Sequence, residues 1–232
     1  LPGHHYPRAA SPAEAEFSPG PVVALNHILE FLRYDEILPM ASVAAAPSLT
    51  VFTIGHSTRP IGEFLEILHL HGIEQIVDIR TIPKSRRNPQ FNSDSLAASL
   101  SAAGIGYVHL KDLGGLRHAK RDSVNLGWRN PSFRGFADYM QTPEFATALD
   151  RAIGVAADRP TALMCAEAVP WRCHRSLVAD ALVVRGIRVL EIVSAASPKD
   201  HTLTPSARVH GTRITYPGGQ QALFAPGEGS PH

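Results

Sequence analysis

Between residues 49 and 193 the apolar positions follow two rhythms. Short runs at residues 49–54, 76–79, 107–110, 161–164 and 189–193 predict five buried strands. Between them lie stretches with helical spacing. Ile61, Phe64, Leu65, Ile67 and Leu68 form one stripe, ended by Gly72, and residues 95–103 form another, stopped by Gly104. Residues 136–140 and 144–157 predict two more helices, with Pro143 opening the second. Leu177, Val178, Ala181 and Leu182 mark a helix after the fourth strand, begun by His174 and Arg175. Ser57 or Thr58 is the expected cap of the first helix. Strands alternating with helices predict a single three-layer α/β domain, Rossmann-like, with a mostly parallel sheet of about five strands.

The flanks are different. Residues 1–21 are rich in Pro, Ala and His and predict disorder, while Leu25, Ile28, Leu29, Leu32 and Ile37 would line one amphipathic helix. Met40, a candidate start, precedes an Ala-rich linker. The expected organisation is an N-terminal extension over residues 1–47, an α/β domain over residues 48–224 and a flexible tail over residues 225–232. No apolar run approaches the roughly 18 residues that would span a membrane, and the first residues lack the pattern of a secretory signal. Two cysteines cannot build a disulfide framework for 232 residues. A cytoplasmic setting is therefore expected.

Ligands of parallel α/β sheets bind beyond the carboxyl ends of the strands. That rule selects Gly55-His56-Ser57 after the first strand, and Arg80, Lys84, Arg86 and Arg87 after the second. It also selects Lys111, Arg117, His118, Lys120 and Arg121 after the third, and residues 165–175 after the fourth. The chain carries a net +1, yet residues 80–129 hold nine bases against three acids. Basic groups meeting at one sheet edge favour an anionic ligand, a phosphate, a nucleotide or a nucleic-acid backbone. The overall charge argues against coating nucleic acid through charge alone. Gly114-Gly115 resembles a phosphate loop only faintly, and neither a dinucleotide fingerprint nor a Walker pattern is present. Trp128, Phe133 and Phe136 suit either base stacking or a core.

The densest chemistry lies in the fourth loop, which holds both cysteines together with Glu167, Arg172, His174 and Arg175. Cys165 closes a buried strand and is either a nucleophile, a metal or redox group, or a structural thiol. Arg172, His174 and Arg175 would favour its thiolate, and Glu167 or His56 would carry a proton. The C-x7-C spacing is not that of common zinc sites, so no metal ligand is assigned, although Cys165, Cys173, His174 and His56 offer four N/S donors if the loops meet. A reversible disulfide between the two sulfurs is equally compatible with the turn. Arg175 would either grip an anion at the helix start or pair with Asp78 or Glu167. Asp78 would orient His56 or pair with Arg80.

Several motifs occur in a fixed order: Thr53-Ile54-Gly55-His56-Ser57, Asp78-Ile79-Arg80, Cys165-Ala166-Glu167 and Cys173-His174-Arg175, followed by residues 201–205 and 215–217. Over residues 51–217 the chain resembles the family called domain of unknown function 488. The resemblance implies a compact bacterial or archaeal α/β protein of enzyme character, and it supplies no reaction.

The function expected from these residues is that of a thiol-dependent transferase or hydrolase acting on an anionic substrate. Cys165, Glu167 and His56 would be catalytic, and Arg80, Arg175, His174, Arg86 and Arg87 would bind substrate. The residues identify no cofactor and no oligomeric state, and the partner would be a small anionic ligand or nucleic acid, not a membrane. The rival expectation is a metal- or nucleic-acid-binding module without catalysis.

Overall fold

The computed structural model describes residues 49–218. The expected N-terminal extension, its helix and the C-terminal tail fall outside these residues. The six-stranded main sheet comprises β1 (Thr50–Gly55), β2 (Gln75–Asp78), β3 (Gly106–His109), β4 (Thr161–Cys165), β5 (Arg188–Ile192) and β6 (Lys199–Asp200). Its order is β3-β2-β4-β1-β5-β6; every neighbour pair is parallel except β5 with β6. The helices are α1 (Ile61–Leu70), α2 (Ser93–Ala102), α3 (Pro131–Tyr139), α4 (Pro143–Ala157) and α5 (Arg175–Val183). Among the described residues no helix is long and apolar enough to cross a membrane.

Successive strand residues face opposite sides of a sheet, so a strand covered on both sides must be apolar throughout. All five residues of β4 are buried. Ala162 and Met164 join Phe64, Ile67 and Leu68 of α1 and Leu96 and Leu100 of α2 in one core. Leu163 and Cys165 join Phe145 and Leu149 of α4 and Leu177 and Val178 of α5 in the other. These two cores make the three layers expected from the alternating pattern.

Two local expectations require correction. Neither Ser57 nor Thr58 caps α1; the helix starts after Pro60 with no side-chain cap, and Ser57 instead adopts a left-handed φ of 53°. The third helix begins five residues before the predicted start, because Pro131 presets the first turn and the Asn130 side chain accepts from the Ser132 amide at 2.9 Å. The sixth strand and the hairpin of β7 (Arg208–His210) and β8 (Arg213–Thr215) are too short to show a hydrophobic rhythm.

Buried carboxylates tie down the long connections. Asp138 of α3 accepts from the Lys120 amide, the Ser123 hydroxyl and the Asn125 side chain, which anchors the polar loop after β3. Asp180 of α5 accepts from His201, from the Thr204 amide and from the Tyr216 hydroxyl. His201 also contacts Glu191 at 2.7 Å. Burial opposes charge on this imidazole, but Asp180 and Glu191 together win and raise its pKa to about 9. The C-terminal segment is thus bolted to α5 and β5 by an ion-paired histidine.

Candidate active site

The chain leaves β2 for α2 on one face of the sheet and leaves β4 for α5 on the other. Neighbouring strands β2 and β4 therefore splay their loops apart, the arrangement that opens a crevice at a sheet's carboxyl edge. The pairing of β1 with β4, by contrast, continues past the strands. The His56 amide donates to the Cys165 carbonyl at 3.0 Å and the Ser57 amide to the Ala166 carbonyl at 2.8 Å. Gly55 permits this approach: a β-carbon there would lie 1.8 Å from the Glu167 carbonyl oxygen.

A cavity of about 400 Å³ opens at this edge. Arg80, Glu167, Arg172 and His174 line it, with Cys165, Cys173 and the ring of Phe133. Both cysteines are free thiols, 6% and 3% exposed. His174 stands between them and the sheet. Its Nε2 lies 3.2 Å from the Ile79 carbonyl, which can only accept, so Nε2 carries the proton. In the tautomer that this bond selects, Nδ1 is the acceptor, 3.8 Å from Cys165 Sγ and 3.7 Å from Cys173 Sγ. Edge contact with Phe136 holds one side of the ring, and the backbone of Gly115 packs against it.

The two thiols are driven apart in acidity. Hydrogen bonding from Cys173, opposed by burial and helped by the nearby His174 and Arg175, holds Cys165 well below the ordinary thiol range. Cys173 keeps its proton, pushed up by that same bond and by burial. The Arg175 amide, at the start of α5, donates to Cys173 Sγ at 3.5 Å.

The two remaining charged motifs form supports. Arg175, fully buried, donates through Nη1 to the carbonyls of Ile54 and Glu167 and through Nη2 to that of Ala168. It braces the loop after β4 against the end of β1, and neither Asp78 nor the Glu167 carboxylate is its partner. Arg80 is ion-paired with Asp78 and donates to the Phe91 carbonyl and to His56 Nε2. Tyr107 adds a 2.8 Å bond to Asp78. One Nη1 N–H of Arg80 has no partner among the described residues, at a position lining the cavity. His56 is 3% exposed, donates from Nδ1 to the Ser57 carbonyl and stacks on Phe91 at 4.2 Å. Burial holds its pKa down. Both its nitrogens are engaged, and it does not line the cavity.

Glu167 and Arg172 are exposed at the cavity, whereas the exposed Arg86 and Arg87 do not line it. Sequence reasoning passed over Thr81, Ile82, Leu116 and Ser132, which complete the lining and carry no motif. The Gly114-Gly115 pair has a packing explanation. Added β-carbons would lie 2.3 Å from Thr81 Oγ1 and 2.4 Å from His174 Nδ1. As for metals, Cys165, Cys173 and His174 present donor atoms all within 4.8 Å of one another. Two thiolates and an imidazole are the donor set of a tetrahedral zinc site with one position left for the cavity. His56 is not part of that group.

The model of the family described as domain of unknown function DUF488 matches residues 60–182, more than half of the chain, and the chain belongs to this family. The matched span holds Asp78, Arg80 and all of residues 165–175, while His56 and His201 lie outside it. No curated protein and no solved structure matches the chain.

Proposed function

We propose that this DUF488 protein is a thiol-dependent enzyme acting on an anionic substrate, with Cys165 as nucleophile and His174 as its proton acceptor. The supporting observation is the placement of Cys165 at the cavity, 3.8 Å from a His174 nitrogen whose lone pair the Ile79 carbonyl leaves free. His174 Nδ1 takes the thiol proton and the sulfur attacks an electrophilic centre of the bound substrate. Glu167, exposed on the cavity wall, would relay the proton taken by His174 to the leaving atom. Arg172 and the spare N–H of Arg80 supply positive charge for the anionic group. Arg175 and His56 act as positioning residues, one through the loop after β4 and the other through Arg80. Two free thiols suit the reduced cytoplasm.

The test is the pH dependence of Cys165 alkylation by iodoacetamide, mapped by mass spectrometry, with and without inorganic phosphate. A Cys165 inflexion well under that of a free thiol, moved up by His174→Gln and slowed by phosphate, is expected. An ordinary thiol profile, indifferent to His174→Gln, would sink the reading.

The compact N/S donor set favours one second reading, a zinc centre held by Cys165, Cys173 and His174. Stoichiometric zinc in purified protein, lost in Cys173→Ala, would favour it, and metal-free protein with reactive Cys165 would remove it.

A further inference from the structure

The nucleophile accounts for Cys165 and His174 but gives Cys173 no task beyond its hydrogen bond to the Cys165 sulfur. Cys173 is 3% exposed, free, and opens on the same cavity. Its sulfur lies within 4.8 Å of that of Cys165, and both face the same imidazole nitrogen at 3.7 and 3.8 Å. A purely structural thiol has no need of such a position. A disulfide requires the sulfurs to close from this separation to about 2 Å. Cys173 sits between the turn Pro170–Arg172 and the first residue of α5, so its bond to Cys165 would cross-link one loop and would not bend a strand.

We infer that Cys173 is a resolving thiol, and that the Cys165–Cys173 pair reduces hydroperoxides by passing through an intramolecular disulfide. This rests on the reading of Cys165 as the nucleophile and extends it to a second reaction. The Cys165 thiolate attacks the terminal oxygen of a hydroperoxide, the O–O bond breaks, and the leaving alkoxide takes a proton from His174 to depart as an alcohol. Cys165 is left as a sulfenic acid. The Cys173 sulfur then attacks the Cys165 sulfur; its proton passes through His174 to the departing hydroxide, which leaves as water. One hydroperoxide and two thiols become one alcohol, one water and one disulfide, and an external dithiol restores the pair by exchange. The opening of the cavity, with Ile82 and Leu116 61% and 64% exposed, suits an organic hydroperoxide.

The experiment treats fully reduced full-length protein, in chelator, with tert-butyl hydroperoxide. Trypsin cuts after Arg172, so the two cysteines fall on separate peptides that only a disulfide joins. Wild type is expected to lose about 2 Da and yield the linked peptides, and Cys173→Ser to gain about 16 Da or more at Cys165. Dithiothreitol should restore the wild-type mass. Wild type that accumulates sulfinic acid at Cys165 without linked peptides would overturn the resolving role while leaving the nucleophile standing. Protein whose Cys165 neither oxidises nor alkylates faster than a free thiol would remove both.

Discussion

Gly115→Ala tests the site without replacing any group that reacts. A β-carbon at this position would sit 2.4 Å from His174 Nδ1 and 2.5 Å from Cγ of the same ring. Ordinary contact begins near 3.4 Å, so either the ring or the Gly115 backbone must retreat by about 1 Å. The ring is the softer partner, because its other anchors are one 3.2 Å bond to Ile79 and an edge contact with Phe136. A retreat of that size stretches the 3.8 Å approach of Nδ1 to Cys165 Sγ beyond any useful hydrogen bond. Loss of one hydrogen bond to a charged group is worth about 1.5 to 3 kcal/mol, so the Cys165 alkylation profile should move up by at least about one pH unit. At pH values below both inflexions that is about a tenfold slower reaction. The overpacked variant should also unfold about 1 to 3 kcal/mol more easily. Gly154→Ala provides the contrast, since a β-carbon there meets nothing within 4 Å inside α4 and should stabilise the fold by about 0.5 to 1 kcal/mol. An unchanged Cys165 profile in a folded Gly115→Ala protein would refute the role given to His174.

Arg175→Lys removes three guanidinium bonds to backbone carbonyls and should cost about 2 to 4 kcal/mol in urea unfolding; a loss under about 1 kcal/mol would contradict the brace. The folded pKa of His201, about 9, lies above its unfolded value near 6.5. Its contribution is therefore complete below about pH 6.5 and lost as pH rises through 9. The side chain is 5% exposed, so solvent screening takes only part of the effect, and about 2 to 3 kcal/mol should vanish across that window. His201→Gln should flatten that slope, and a wild-type unfolding midpoint that does not fall between pH 6.5 and 9.5 would reject the clamp.

The strands, the helices and the place of the thiol loop were legible in the chain because their signals are local. A buried strand needs an unbroken apolar run, and a helix repeats about every 3.6 residues whatever it packs against. Cys165 at a strand end and His174-Arg175 at a helix start follow from that alone. The strand order and the assignment of the two histidines do not. His56 and His174 both stand beyond strand ends, where the sequence marks His56 as a proton carrier and His174 as an anion-binding group. Arg80, 24 residues from His56, takes the Nε2 of that ring, while the Ile79 carbonyl, 95 residues from His174, fixes its tautomer and leaves Nδ1 to the sulfurs. Arg175 turned inward for the same kind of reason, because the carbonyls it serves belong to β1 and to the loop after β4. Which nitrogen is free and which guanidinium is engaged depends on partners distant in the chain, and only packing brings those partners within hydrogen-bonding reach.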